Sequence, residues 1–178
     1  MKRIDFINKN NKRRIRMTRE EFNSRITELL TSAVALIPTA ALPDLPFMKQ
    51  APTVPDWYDF EHRLWALGED IRQLTVTENK ELNAEHVEAI CRICTDPKAK
   101  RGRQSFVMLM GKKRYSAYAD RLATLLTDED VCGHVISTLC KMGASQYAEE
   151  IKPYTTHPIA WIRNEAKKYL TKYSVSPQ

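Results

Sequence analysis

Apolar residues recur at three- and four-residue intervals along most of this 178-residue chain, which is the period of a helix with one face turned inward. Thr18 and Glu21 have the spacing of a capping box. They open a predicted helix whose Phe22, Ile26, Leu29, Leu30, Ala33 and Ile37 share a stripe, and Pro38 ends it. Residues 38–55 hold five of the nine prolines, so this segment is expected to run extended over the body. Its Leu42, Leu45, Phe47 and Met48 are expected to pack down. Asp56 is a candidate cap for a second helix with the stripe Trp57, Phe60, Leu64, Leu67, Ile71 and Leu74, which places Glu61 off that stripe. A break is predicted over 75–80. Further helices are predicted over 83–95, 100–110, 116–126, 131–142, 145–154 and 159–173, with turns at Asp96-Pro97, 111–114, 127–130, Gly143 and His157-Pro158. The predicted fold class is all-α.

The later helices repeat. Leu109, Leu139 and Leu170 stand 30 and 31 residues apart, and Tyr118–Leu122 and Tyr147–Ile151 share the pattern Tyr-Ala-acid-X-aliphatic. A turn and two short helices per unit at this period predict a solenoid, whose units shield each other's apolar faces. One domain is expected: a basic tail over 1–17, helices and a proline-rich segment over 18–82 that cap the stack, and repeats over 83–173.

Residues 158–170 resemble the first helix of a HEAT repeat: Ile162, Arg163, Ala166 and Leu170 stand where that family has a branched aliphatic, an arginine, a small residue and a leucine. Thr127–Val131 is similar to its acidic inter-repeat turn, with Asp128 in the turn and Val131 and Leu139 in the apolar positions. The resemblance covers about 96–173, or two and a half repeats. Cys132 replaces the arginine and Val135 the small residue; in the preceding unit Gly102 and Ser105 fall there. The turn-aspartate to helix-arginine contact of the family is therefore not expected in those two units. The resemblance implies a curved stack of helix pairs that binds partners, usually proteins, and it implies no catalytic residue.

Charge is divided unevenly. The formal net charge is +6, yet residues 1–19 alone carry +7 and the body about −1. Within the body Lys98, Lys100, Arg101, Arg103, Lys112, Lys113 and Arg114 occur with no acid between Pro97 and Ala119. On one helix of 100–110 these cations would stand at both ends, about 15 Å apart, and those at its start would oppose the helix dipole. Either acids on neighbouring helices or an anionic partner would answer them. These seven residues are the candidate anion- or partner-binding set. With the tail cations Lys12–Arg16 they define the nucleic-acid alternative, since phosphate contacts need no base reading.

The remaining chemistry is sparse. No run reaches the roughly 18 apolar residues that span a bilayer, so no membrane partner is expected. The amino-terminal residues lack a secretory pattern, and four cysteines in that setting read as reduced thiols of a cytoplasmic protein. Cys91 and Cys94 form a C-x-x-C without a second pair for zinc, and they share the stripe of Val87 and Ile90, where they act as small hydrophobes. His62, His86, His134 and His157 match no metal motif, so no metal or cofactor is expected. Trp57, Trp65 and Trp161 invite comparison with the HEAT-like alkylpurine glycosylases, whose concave aromatic pair flanks an aspartate; no matching Asp, Trp and Arg set is evident here. No nucleophile elbow, P-loop or dinucleotide fingerprint occurs. The expected function is non-catalytic protein binding, as a small adaptor or an immunity-type protein.

Overall fold

The computed structural model describes residues 16–48 and 51–173 and is built of helices with one small hairpin. Helix α1 spans Arg19–Leu36. The Thr18 hydroxyl accepts the Glu21 amide at 3.1 Å and Glu21 accepts the Thr18 amide at 2.7 Å, so the capping box forms as its spacing predicts. Phe22, Ile26, Leu29, Leu30 and Ala33 are buried. The opposite face of α1, with Glu20, Ser24, Glu28 and Thr31, is exposed.

The proline-rich segment departs from expectation in two ways. Strands β1 (Phe47–Met48) and β2 (Ala51–Pro55) pair antiparallel with an irregular register. Apolar packing is weaker than expected, since Leu42 is 37% and Phe47 63% exposed while Leu45 is half-buried; the Met48 side chain lies outside the described residues. Polar ties add to it: Tyr58 OH donates to Pro43 O at 2.8 Å, Asp56 N donates to Pro46 O at 2.9 Å, and Lys100 reaches Asp44. Prolines at 43, 46, 52 and 55 remove the amides that a longer sheet would need.

Helix α2 (Asp59–Glu78) begins later than Asp56, whose side chain accepts the Trp57 amide. Its first turn is capped by Glu61, which accepts the Tyr58 amide at 2.8 Å. The predicted break at Thr75 does not occur. Buried Thr75 bonds back to Arg72 O, buried Glu78 accepts the Met17 amide, and the helix stops where Asn79 turns left-handed at φ 51°. The buried face runs Glu61, Leu64, Gly68, Ile71, Thr75 and Glu78, so Glu61 lies inside rather than off the stripe.

Helix α3 (Ala84–Thr95) follows. The helix predicted over 100–110 is replaced by a 3-10 turn over Pro97–Arg103 and a short α4 (Gln104–Leu109). The break is Lys100, at φ 46° and ψ −139°. A 3-10 turn over Lys113–Tyr118 leads into α5 (Ala119–Ala123). Then come α6 (Cys132–Met142), closed by left-handed Gly143, α7 (Ala148–Ile151), a 3-10 turn over Lys152–Thr156, and α8 (Ala160–Tyr173).

Helices α2, α4, α6 and α8 pack successively, each on the next, while α1, α3 and α5 form a second run and α3, α5 and α7 lie against α4, α6 and α8. Small residues set the close approaches. A Cβ on Gly68 would lie 2.1 Å from Ser105 Oγ on α4, and one on Gly133 would lie 2.2 Å from the Trp161 ring on α8. The core is continuous from Phe22 to Tyr169. Of the repeat positions, Leu109, Val131, Leu139, Ile162 and Ala166 are buried and Leu170 is half-buried. The two Tyr-Ala-acid patterns interlock, because the Tyr147 hydroxyl of one unit bonds Asp120 of the unit before.

Candidate functional site

The seven candidate cations do not form one surface. Lys100, Arg101 and Arg103 are buried, while Lys112, Lys113 and Arg114 lie on the turn before α5. Their placement follows from the kink at Lys100. Asp96 accepts the Lys98 amide at 3.0 Å and starts the 3-10 turn; beyond the kink, Arg101 N donates to Glu61 Oε1 at 2.9 Å and Arg103 Nε to Lys100 O at 3.0 Å. Gly102 allows this, as a Cβ there would stand 2.9 Å from Glu61 O.

The three inward cations meet acids from three other segments. Lys100 Nζ lies 2.6 Å from Asp44 Oδ1, and Arg101 Nε lies 3.7 Å from both Glu61 Oε1 and Asp130 Oδ1. Arg101 also donates to Asp56 O and lies 5.2 Å from the Trp57 ring, which stacks on His62. Arg103 bonds Asp128 in the turn before α6 and Cys94 O at the end of α3. An arginine of the 97–103 turn is thus tied to an aspartate of the 127–130 turn. Burial, and then the neighbouring Asp128, push the Asp130 carboxyl above its usual range, with the three cations pulling it back. Glu61 is wholly enclosed and already accepts two backbone amides. This network joins the proline-rich segment, α2, the 97–103 turn and the 127–130 turn.

The outward cations are partly matched too. Lys112 and Arg114 reach Glu81 at 3.5 and 2.8 Å, all three half-exposed. Arg163 donates to His157 O and Pro158 O, both at 2.7 Å, and so closes its own turn. His157 Nδ1 accepts the Ile159 amide, as suits a turn residue.

The open side of the α4, α6 and α8 row is a narrow mixed stripe. On α4 it presents half-buried Gln104 and Met108, on α6 half-buried His134 and Ser137 with exposed Lys141, and on α8 the 44%-exposed Trp161. The Trp161 and His134 rings meet edge-on at 4.9 Å. Burial, aided by Lys141, depresses the His134 pKa to about 4, so the ring is neutral at pH 7.

A concavity of about 380 Å³ lies between α1 and α3, lined by Thr27, Leu30, Thr31, Val34, Glu85 and His86. The Thr27 hydroxyl donates to Asn23 O, so His86 Nε2 carries the proton that Thr27 accepts at 3.1 Å. Burial keeps this ring below the usual histidine pKa. Cys91, Cys94, Cys132 and Cys140 are all buried free thiols. Burial raises the first three above the usual thiol range, Cys132 to about 11, and so suppresses the thiolate that ligation or attack would need. Among the described residues no group of three or more His, Cys, Asp or Glu could hold a metal, and no helix is long and apolar enough to cross a membrane.

The sequence reading missed Glu61, Asp44 and Asp130 as partners of the cations. Glu61 left a signal, standing three residues after the helix start at a capping position and seven before Gly68 on the same face. Asp44 left none, because its meeting with Lys100 spans 56 residues. The basic tail falls almost entirely outside the described residues. No protein-family model, no curated protein and no solved structure matches the chain.

Proposed function

We propose that the chain is a HEAT-like α-solenoid acting as a non-catalytic protein-binding module, with the α4, α6 and α8 row as its working face. The stack supports this reading: successive helices contact their neighbours in order, and the polar outer face of α1 closes one end. The single observation that carries it is the open stripe of Met108, His134, Ser137 and Trp161. A half-exposed tryptophan and a half-buried methionine beside neutral His134 and Ser137, with Lys141 as the stripe's charged residue, come near the composition of an interface core, which is poor in charge and rich in Trp and Met. The inward turn of Lys100, Arg101 and Arg103 favours a protein over a nucleic acid, because three of seven cations are spent on internal acids and two more face Glu81.

The test compares affinity capture from the host by wild type and by Met108→Glu/Ser137→Arg, with Arg121→Glu on the opposite row as control. A specific protein should be lost with the first variant and kept with the second. Capture indifferent to the stripe, or a DNA duplex held at low salt and released by Lys112→Glu/Lys113→Glu/Arg114→Glu, would reverse the reading.

A further inference from the structure

Asp44 and Lys100 form an asymmetric pair. The Lys100 side chain is 11% exposed and that of Asp44 is 70% exposed, with 2.6 Å between them. The cation is fixed in the body while its acid stands in solvent. Lys100 is fixed because both of its flanks are captured: Glu61 takes the Arg101 amide, and Arg103 Nε takes the Lys100 carbonyl. Its backbone sits at φ 46° and ψ −139°, a conformation that side-chain-bearing residues rarely adopt. The ammonium is thereby aimed before any partner arrives.

Asp44 is held more loosely. The bonds of its segment, Tyr58 OH to Pro43 O and Asp56 N to Pro46 O, join it to its own return arm and would survive rotation of the Asp44 side chain. Leu42, two residues before it, is 37% exposed, and the half-buried Leu45 beside it leaves the Asp44 side chain 70% exposed. Burial works against the Lys100 ammonium, yet Asp44, Asp130 and Glu61 keep its pKa above the usual lysine value, so the cation persists through this range of contacts.

We infer that Asp44 occupies, within the chain, a carboxylate-binding position on Lys100 that an acidic side chain of a protein partner takes in its place. The inference rests on the protein-binding reading and gives it a chemical feature at the edge of the same row. One ammonium is available, since Arg101 is engaged by Asp56 O and Asp130, and Arg103 by Asp128. Asp130 and Glu61 nearby would repel a dianion. A single carboxylate fits this balance. Asp44 is then a built-in competitor that weakens contacts lacking further support.

The experiment follows fluorescence anisotropy of a labelled peptide carrying a single glutamate among neutral residues with wild type, Asp44→Ala, Asp44→Asn and Asp44→Ala/Lys100→Gln, each checked by thermal melting. If Asp44 fills the position nine-tenths of the time, its removal should tighten peptide binding about tenfold. The gain should vanish in the double variant. Asp44→Asn, which keeps the shape and loses the charge, should also gain and serves if the alanine variant does not fold. The inference is overturned if neither single variant binds more tightly, if the gain survives Lys100→Gln, or if a labelled oligothymidylate gains as much as the peptide. Such failures leave the stripe on α4, α6 and α8 to be judged by its own variants.

Discussion

Glu61→Ala removes the acid at the centre of the internal ion network. Glu61 is 0% exposed, accepts the Tyr58 and Arg101 amides at 2.8 and 2.9 Å, and faces Arg101 Nε at 3.7 Å. Alanine leaves the Arg101 amide buried without its acceptor and takes one of the acids from a guanidinium whose side chain is 7% exposed. Removing one partner of a buried pair costs about 3–5 kcal/mol, and an orphaned buried donor costs about 1–3 kcal/mol. The two overlap, and Asp130 and Asp56 O still face Arg101, so about 4 kcal/mol is expected. For a chain of this size that corresponds to a fall in Tm of roughly 8–16 °C. Glu61→Gln keeps one oxygen for the Arg101 amide and loses the charge, so it should cost about half as much. Urea unfolding followed by far-UV circular dichroism measures both. A Glu61→Ala loss under 1 kcal/mol, or equal losses for the two variants, would refute the reasoning.

Three further outcomes follow. Gly133→Ala would place a Cβ 2.2 Å from Trp161 Cη2, which should cost about 1–3 kcal/mol by overpacking and shift the tryptophan emission; unchanged stability and emission would count against the packing described. The His134 pKa is depressed to about 4 in the folded chain, so between about pH 6.5 and 4 the unfolded chain takes up a proton that the folded one refuses. Stability from this group is therefore intact above about pH 6.5 and falls by up to about 3 kcal/mol as pH drops toward 4; His134→Gln should flatten that part of the urea-midpoint profile, and an equally steep variant would contradict the assignment. The four buried thiols should react with a disulfide reagent only as fast as the chain unfolds, with the rate rising in denaturant; rapid labelling of the native protein would show an open thiol.

Helix identity and order were legible because the three- and four-residue apolar period directly encodes an inward face, and because Thr18, Asp96, Gly143 and Pro158 mark ends by local chemistry. What escaped the sequence was set at long range. Thr75–Glu78 stays helical because Glu78 is buried and caps Met17, 61 residues away. Lys100 breaks a run that reads as continuous helix because Glu61, 40 residues from Arg101, captures the next amide. The acids that answer the basic cluster, at 44, 61, 128 and 130, were not identifiable because they lie outside the stretch that holds the cations. The absence of acid between Pro97 and Ala119 did carry information, since cations that turn inward require acids from other segments.

The proposed working face is tested most directly by hydrogen–deuterium exchange of the chain alone and bound to its captured partner. The account predicts added protection in α4, α6 and α8 around Met108, Ser137 and Trp161, with α5 and the 112–114 turn unchanged. Protection confined to the 112–114 turn, or to α1 and α3, would contradict it.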